Sequence, residues 1–213
     1  MRYLITGHTG FKGSWLSALL KIMGNEVYGI ALNPEPNSLF NQSNIKRYMT
    51  EDLRIDIRDF KLLNKAISSI DPEVIIHLAA QPLVRLSYLK PLETFETNVM
   101  GTLNLLEATK QLQNLRATLI ITTDKVYKNS NEIVWYKEED ALGGSDPYSA
   151  SKAAADLATQ SWRDSFGNTP IAIARAGNVI GGGDWSKDRL VPDIIRAIES
   201  DDTLIIRNLN AIR

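Results

Sequence analysis

Short apolar runs alternate with amphipathic segments along the first 176 residues, and this pattern constrains the fold more than any other feature. Six runs have the length of buried strands; they are 3–6, 27–32, 53–57, 74–78, 118–122 and 171–175. Segments with helical periodicity separate them, most clearly 14–23, 59–70, 91–113 and 147–166. Strands joined by helical crossovers pair in parallel, with helices on both faces of the sheet. The sequence therefore predicts an α/β fold built on a doubly wound parallel sheet.

The segment 91–113 is expected to be one long helix that turns an apolar stripe toward the sheet. The residues of that stripe are Leu92, Phe95, Val99, Leu103 and Leu106. The helix at 147–166 begins with Pro147, a residue favoured in the first helical turn.

The composition excludes several classes of protein. Lys and Arg number 24 against 25 Asp and Glu, which leaves a net charge of −1 and argues against nucleic-acid binding or a polybasic membrane anchor. Cysteine is absent, and His8 and His77 are the only histidines, so we expect neither disulfides nor a metal centre. We find no apolar run of about 18 residues and no signal-peptide pattern. These features predict a cytoplasmic protein that acts on small molecules.

Three glycines lie between the first strand and the first helix, at the spacing G-x-x-G-x-x-G. They are Gly7, Gly10 and Gly13. A turn without Cβ atoms lets backbone N–H groups approach a pyrophosphate, and the helix N-terminus adds partial positive charge. The motif predicts a dinucleotide-binding loop that also includes Thr9, Phe11 and Lys12. The alternative is a tight glycine turn without a ligand.

The pattern changes after residue 176. A glycine-rich loop at 181–183 precedes a predicted helix near 190–199 and a predicted strand near 203–207. We therefore predict a dinucleotide-binding domain at 1–176 and the beginning of a smaller substrate domain at 177–213, and we expect the chain to be truncated there.

The residues that would hold the nucleoside end of the cofactor are less clear. The second strand ends at Ala31-Leu32-Asn33 without the acidic residue expected to bind a ribose, although Asn33 could do so. No arginine follows to favour a 2′-phosphate, so the choice between NAD and NADP stays open. Asp56, with Ile57, could contact the adenine edge, or Asp56 could simply initiate a helix.

A candidate catalytic group follows the fifth strand. Tyr148 and Lys152 are four residues apart near the start of a helix, so their side chains share one face. The fifth strand ends at Thr123, followed by Asp124 and Lys125, where a doubly wound sheet places its ligand. We expect the ammonium and a nicotinamide cation to lower the pKa of Tyr148 toward the working range. The alternative is an exposed tyrosine packed on a lysine stem.

Together these motifs resemble the extended short-chain dehydrogenase/reductase family, whose fold is a Rossmann-type NAD domain, and within it the CDP-glucose 4,6-dehydratases. The blocks that carry the resemblance are GHTGFKGSWL (7–16), HLAAQPLVRLSY (77–88), TNVMGT (97–102), TTDKVY (122–127), LGGSDPYSASKAAAD (142–156) and RAGNVIGGGDWSKDRLVPD (175–193). The resemblance implies NAD as the cofactor, CDP-glucose as the substrate, and a role in deoxysugar and O-antigen lipopolysaccharide biosynthesis.

The resemblance also implies a mechanism. Tyr148, supported by Lys152 and Thr123, takes the C4 hydroxyl proton while the C4 hydride passes to NAD⁺. Water then leaves across C5–C6, and the hydride returns to C6. The related dTDP-glucose enzymes have an Asp-Glu pair after the threonine, whereas this chain has Asp124-Lys125. We hypothesise that Asp124 protonates the leaving C6 hydroxyl and that Lys125 serves C5, either as a neutral base or as a cation that stabilises the enolate.

Further site residues follow from the resemblance. Those implied for the cofactor are Leu78, Ala79, Ala80 and Asn98, together with Tyr148 and Lys152. Those implied for the nucleotide sugar are Gln81, Arg85, Asn178, Arg189, Arg207 and Arg213. Relatives dimerise through the helices that correspond to 91–113 and 147–166, so we expect a homodimer or a higher homo-oligomer. The alternatives are another nucleotide-sugar dehydratase or 4-epimerase of the family, and a non-catalytic NAD-sensing protein.

Overall fold

The computed structural model describes residues 1–129, 135–167 and 169–206, and these form a parallel sheet with helices on both faces. Six strands lie in the order β3-β2-β1-β4-β5-β6, and every neighbouring pair is parallel. The strands are β1 Arg2–Thr6, β2 Glu26–Ala31, β3 Glu51–Arg54, β4 Val74–His77, β5 Ala117–Thr123 and β6 Ile171–Ala176. The predicted doubly wound, Rossmann-type α/β fold is confirmed.

The helices fill the crossovers between the strands. Their bounds are α1 Phe11–Ile22, α2 Leu39–Gln42, α3 Phe60–Ile70, α4 Val84–Leu89, α5 Pro91–Phe95, α6 Gly101–Thr109, α7 Pro147–Phe166 and α8 Leu190–Ser200. Short 3₁₀ turns occupy Ile45–Tyr48 and Asp124–Val126. Asp59 accepts a hydrogen bond from the Leu62 amide at the start of α3, as its predicted capping role requires.

The predicted long helix at 91–113 differs in two respects. A π-helical turn at Glu96–Met100 separates α5 from α6, and α6 ends at Thr109. Leu92 and Phe95 are exposed, so the predicted apolar stripe is wrong at these two positions, although Leu106 is buried. Polar side chains are buried between these two positions and the apolar end of α6, because Thr94, Asn98 and Thr102 bond to groups inside the protein.

Two other segments differ from prediction. β3 ends at Arg54, so Asp56 and Ile57 follow the strand instead of ending it. The predicted strand near 203–207 is wrong for residues 203–206, which are not paired in a sheet, and residue 207 lies outside the described part of the chain.

The main apolar core lies between the sheet and the helices α3 and α6. Its fully buried members include Leu4, Ile30, Leu63, Ile75 and Leu105. A smaller cluster of Ile5, Leu20 and Val27 lies beneath α1 on the other face. The strand order reverses between β1 and β4, so the carboxyl ends of these two strands form a crevice, and ligands of such folds bind there.

None of the helices in the described ranges combines the length and the apolar character needed to cross a bilayer. The same ranges hold no group of three or more His, Asp or Glu side chains arranged to bind a metal ion.

Candidate active site

The glycine loop connects β1 to α1 at the crevice. Gly7 has a φ of +76°, and a Cβ atom there would come within 2.7 Å of the Ala79 nitrogen. A Cβ atom at Gly13 would overlap the Gly7 carbonyl oxygen. Gly10 caps α1 without any side-chain hydrogen bond, which leaves the first amides of the helix directed at the crevice. The loop has no room for Cβ atoms, and the backbone N–H groups at the start of α1 can donate hydrogen bonds to a ligand. Both features fit a pyrophosphate.

His8 belongs to the same loop, but its ring points away from the crevice. The ring is fully buried, and its Nε2 lies 2.7 Å from Oδ1 of Asp52 on β3. Gly29 makes room for it, since a Cβ atom at that position would come within 2.5 Å of the imidazole. Burial, which outweighs the attraction of Asp52, lowers the pKa of His8. His8 therefore ties the loop to β2 and β3.

The expected nucleoside contacts lie at the carboxyl ends of β2 and β3. Asn33 is exposed just after β2, where Thr9 donates a hydrogen bond to the Leu32 carbonyl oxygen at 3.2 Å. The Asp56 carboxylate accepts hydrogen bonds from the Arg58 side chain at 2.6–3.1 Å, and these bonds lower the pKa of Asp56. Ile57 is buried and packs beneath Gly101, so only its backbone can face a ligand.

One wall of the crevice is the segment after β4, which buried polar side chains hold in place. Asn98, on the π-helical turn, accepts a hydrogen bond from the Gln81 amide at 2.8 Å and donates to the Gln81 carbonyl oxygen. Its amide also donates to Ser151 Oγ on α7 at 2.8 Å. The Gln81 side chain donates to Leu83 and Thr94, so its amide is turned into the protein. Asn98 thus joins this wall to α7.

His77 lies beneath the wall and is completely buried. Its Nδ1 is 2.6 Å from Thr6 Oγ1, and its Nε2 is 3.1 Å from Thr102 Oγ1. Thr102 donates its own proton to the Asn98 carbonyl oxygen, so it accepts from His77, which fixes the Nε2–H tautomer. Burial lowers the pKa of His77 to about 3, so the ring stays neutral. The histidine therefore links β1 to α6 through its two ring nitrogens.

The structure brings the predicted catalytic residues together at the carboxyl end of β5. Tyr148 shares a hydrogen bond with Thr123, whose Oγ1 donates to Asp124 Oδ1 at 3.0 Å. The Lys152 ammonium is buried and donates to the Ile121 carbonyl oxygen at 2.8 Å. Burial, helped by the charge of Lys12, lowers the pKa of Lys152 to about 8.

The expected lowering of the Tyr148 pKa is not what the chain alone produces. Burial raises the pKa of Tyr148, although the hydrogen bond to Thr123 and the charge of Arg189 oppose that rise. The expectation included a nicotinamide cation bound beside the phenol, so a lowered Tyr148 pKa stays a prediction for the NAD complex, where that cation would have to offset the cost of burying a phenolate.

Asp124 and Lys125 form a 3₁₀ turn that borders the same crevice. The Lys125 Nζ lies 3.8 Å from Asp124 Oδ1, and both side chains are partly exposed. A Cβ atom at Gly177 would come within 3.7 Å of the Asp124 carboxylate, so the segment after β6 passes beside it. An acid and a cation thus lie next to the Thr123–Tyr148 pair, at the edge open to a ligand.

The backbone around Tyr148 is fixed by residues that the sequence did not single out. The Tyr148 amide donates to Ser87 Oγ on α4 at 3.1 Å, and its carbonyl oxygen accepts from Ser151 at 2.7 Å. Asp146 caps α7 by accepting from Ser149. In the sequence, Asp146, Ser149 and Ser151 stand beside Tyr148 as capping and hydroxyl residues, whereas Ser87 is 61 residues away and gives no local signal.

The segment after β6 covers the start of α1. The Trp15 indole donates to the Gly182 carbonyl oxygen at 2.9 Å. Arg189 donates to Asp184, whose side chain is nearly buried, at 3.0 Å. Partial burial and the nearby Arg189 charge lower the pKa of Lys12. Cationic side chains therefore converge on the glycine loop, which suits anionic phosphates.

Of the remaining residues predicted to bind the substrate, two lie on the protein surface and two lie outside the part of the chain that the structure describes. Arg85, at the start of α4, pairs with Asp188 at 2.9 Å on the protein surface. Asn178 is exposed after β6. Arg207 and Arg213 lie outside the described residues.

Comparisons with known proteins agree with this geometry. The family described as GDP-mannose 4,6 dehydratase matches residues 4–213. A curated CDP-glucose 4,6-dehydratase of Salmonella typhimurium is 50% identical over the whole chain. The chain covers 61% of that relative. It also covers 59% of the dTDP-glucose 4,6-dehydratase 1 of Escherichia coli, at 29% identity, so it spans less than two thirds of the length of these relatives.

Solved structures show the same fold. A UDP-glucuronic acid 4-epimerase from Bacillus cereus, in complex with UDP-glucuronic acid and NAD, superposes with a TM-score of 0.82 at 29% identity, covering 96% of this chain and 65% of that one. A dTDP-glucose 4,6-dehydratase from Bacillus anthracis, in complex with NAD, superposes with a TM-score of 0.81 at 25% identity, covering 96% and 63%.

Proposed function

The chain belongs to the GDP-mannose 4,6 dehydratase family, and from that premise we propose that it is the NAD-binding and catalytic part of a nucleotide-sugar 4,6-dehydratase. The reaction converts CDP-glucose to CDP-4-dehydro-6-deoxyglucose and water. One observation carries the proposal: the carboxyl group of Asp124, hydrogen-bonded to Thr123, lies directly beside Tyr148. A group that can protonate a leaving hydroxyl therefore adjoins the tyrosine that takes the C4 proton. Dehydration needs such an acid, whereas oxidation and reduction at C4 alone do not.

The crevice residues fit a dinucleotide. Gly7, Gly10 and Gly13 form the loop that would hold the pyrophosphate. Cβ atoms at Gly7 and Gly13 would collide with the backbone of Ala79 and of Gly7, so the tight turn requires glycine at both positions. Asn33 and the backbone after Asp56 border the nucleoside end, and the wall at 78–80 borders the nicotinamide end. Bound there, NAD would supply the hydride acceptor for oxidation at C4 and the hydride donor for reduction at C6.

The chain's own residues manage the protons. Tyr148 takes the C4 hydroxyl proton, with Thr123 holding the same oxygen in place. The Lys152 ammonium, on the same face of α7, supports the phenolate electrostatically. Asp124 donates a proton to the leaving C6 hydroxyl. Lys125, in its neutral form, takes the C5 proton that the 4-keto group has made acidic, and returns it to C5 when the hydride reaches C6.

Cationic residues on the other side of the crevice would bind the diphosphate of the substrate. Arg189 is held there by Asp184 and affects the pKa of Tyr148, so it lies near the reacting centre. Arg85 lies farther out on the surface. Asn178, Arg207 and Arg213 stay proposed substrate residues, and Gln81 supports the wall through its internal hydrogen bonds.

The choice of CDP-glucose rests on the relative that is 50% identical over the whole chain. The test is to incubate the protein with CDP-glucose and NAD⁺ and then add alkali, because a 4-keto-6-deoxy sugar then absorbs near-ultraviolet light. We expect this absorbance from CDP-glucose and little from UDP-glucose or dTDP-glucose. Tyr148→Phe is the matched control and should give none.

Two outcomes would contradict the proposal. An epimerised sugar without the absorbance would indicate a 4-epimerase. NAD binding without any change in the sugar would indicate a non-catalytic NAD-binding protein.

A homodimer is part of the proposal, with the cytoplasm and deoxysugar or O-antigen biosynthesis as its setting. The surface of α4, α5 and α7 supports it, because large apolar side chains are exposed there; they are Tyr88, Leu89, Leu92, Phe95 and Leu157. Light scattering should give twice the chain mass, and a Leu92→Asp, Leu157→Asp double variant should give the monomer. A monomeric wild-type protein would contradict this part.

A further inference from the structure

The buried ammonium of Lys152 has a counter-charge that the proposed mechanism does not use. Asp156 lies one turn after Lys152 on α7, and its carboxylate is completely inaccessible to solvent. Residues four apart on a helix share one face, so this carboxylate and the ammonium lie on the same side of α7. A charged carboxylate so deep in the protein needs several partners to be tolerated.

Four hydrogen bonds supply those partners. Arg175 on β6 donates through Nε at 2.9 Å and through Nη2 at 3.0 Å, so it grips both carboxylate oxygens. Thr122 donates at 3.1 Å from β5, and Gln160 donates at 2.7 Å from the next turn of α7. Burial opposes ionisation, but these bonds outweigh it and lower the pKa of Asp156. The carboxylate therefore stays charged at neutral pH.

Arg175 also reaches the turn that carries Asp124 and Lys125. Its Nη1 donates to the Tyr127 hydroxyl at 3.1 Å and to the Glu138 carbonyl oxygen at 2.8 Å. The guanidinium carbon lies 5.0 Å from the centre of the Tyr127 ring. One arginine thus connects the helix of Tyr148 and Lys152 with the turn that follows β5.

The groups around Lys152 show why a counter-charge matters. Lys12 approaches from α1 and repels the ammonium, and His77 on β4 is neutral. Tyr148, one turn earlier on α7, is also neutral, because burial raises the pKa of its phenol. Asp156 is the group whose negative charge favours the protonated lysine.

We propose that Asp156 is a positioning residue of the candidate site: its buried carboxylate, oriented by Arg175, keeps Lys152 protonated and aligned beneath Tyr148. Neither Asp156 nor Arg175 touches the reacting atoms, so the effect of Asp156 on the reaction passes through Lys152. The link to turnover rests on the proposed function, but the effect on Lys152 does not.

The test measures the titration of Lys152 directly. Lysine-selective NMR of the whole chain, with Lys152 assigned by a Lys152→Arg variant, gives the midpoint without any substrate. Asp156→Asn should move that midpoint downward by about one pH unit or more, because it removes the favourable charge and leaves Arg175 unpaired. Asp164→Asn is the matched control, since Asp164 lies on α7 with an exposed side chain, and it should leave the midpoint unchanged.

A second variant guards against misfolding. Asp156→Asn combined with Arg175→Met replaces the buried pair by neutral groups of similar size, a change that folded proteins often tolerate. We expect a smaller shift in the same direction. An unchanged midpoint in both variants, or an upward shift, would overturn the proposal.

Turnover separates this inference from the proposed function. If the chain dehydrates CDP-glucose, Asp156→Asn should bring the alkaline loss of kcat to lower pH while KM changes little. A purely structural role would change stability and leave the pH profile in place, which would count against the proposal. If wild type does not turn over but the Lys152 midpoint shifts as expected, the inference stands and the proposed function fails.

Discussion

The floor of the candidate site and its rim are held together in different ways. We define the floor as His77, Asn98, Lys152, Asp156 and Arg175, and the rim as Arg85, Asp184, Asp188 and Arg189. In the floor, the Asp156 and Arg175 side chains are 0% and 12% exposed. In the rim, the paired side chains of Arg85 and Asp188 are 69% and 35% exposed.

The difference shows which part of the site is prearranged. Breaking a buried pair leaves an uncompensated charge and costs several kcal/mol, whereas an exposed pair contributes about 0–1 kcal/mol. The floor therefore fixes Tyr148 and the wall after β4 through the chain's own bonds. The exposed Arg85–Asp188 pair of the rim is held weakly, so Arg85 can re-pair with an anionic ligand.

The largest expected effect is at the residue that the floor supports. Tyr148→Phe should lower kcat by about 10²–10⁴-fold, because it removes the group that takes the C4 proton. NAD affinity, measured by tryptophan fluorescence, should change little, since the glycine loop is untouched. A variant that keeps more than a tenth of wild-type kcat would show that another group takes this proton.

The next largest expected effect is a change in the free energy of unfolding when Lys152 is replaced. Its pKa of about 8 in the folded chain lies below the ordinary value of 10.5, so the buried ammonium disfavours folding below pH 8. Lys152→Met should therefore raise the free energy of unfolding at pH 7, by up to about 3 kcal/mol, while abolishing turnover.

The pH dependence gives a second check of the same floor residue. Between pH 8 and about 10.5 the unfolded state binds more protons at Lys152, so this residue makes wild-type stability rise with pH in that window. Urea unfolding at several pH values should show this contribution in wild type and not in Lys152→Met. Equal slopes would mean that the ammonium is not buried as described.

Lys125 tests the chemistry at the border between the floor and the rim. In D₂O the product should carry deuterium at C5, and Lys125→Met should slow this exchange about tenfold or more. Lys128→Met is the matched control, because Lys128 is exposed just after the same turn. Exchange at the wild-type rate in Lys125→Met would remove Lys125 from the mechanism.

The smallest expected effect is at the rim. Arg85→Ala should change the free energy of unfolding by less than about 1 kcal/mol, because its pair with Asp188 is exposed. If Arg85 binds the diphosphate, KM should rise while kcat stays nearly constant. A loss of stability comparable to that from breaking a buried pair would contradict the distinction between floor and rim.

The sequence allowed good prediction wherever local pattern decides structure. The apolar runs predicted six strands in parallel, α7 was predicted at its observed bounds, and the glycine spacing predicted the loop at Gly7. The prediction that Leu92 and Phe95 are buried failed, because the apolar period of 91–113 carries no sign of the π-helical turn at Glu96–Met100. The polar period of Thr94, Asn98 and Thr102 was the better signal, since these side chains bond inside the protein.

The sequence by itself therefore determined the apolar runs of the strands, the glycine loop and the placement of Tyr148 and Lys152 on one face of α7, because each depends on spacing along one segment. Only the tertiary structure decided what surrounds them. Burial raises the pKa of Tyr148 and lowers that of Lys152, and Asp156 meets Arg175 across 19 residues. Desolvation and long-range ion pairs arise only when distant segments pack together, so no local pattern could predict them.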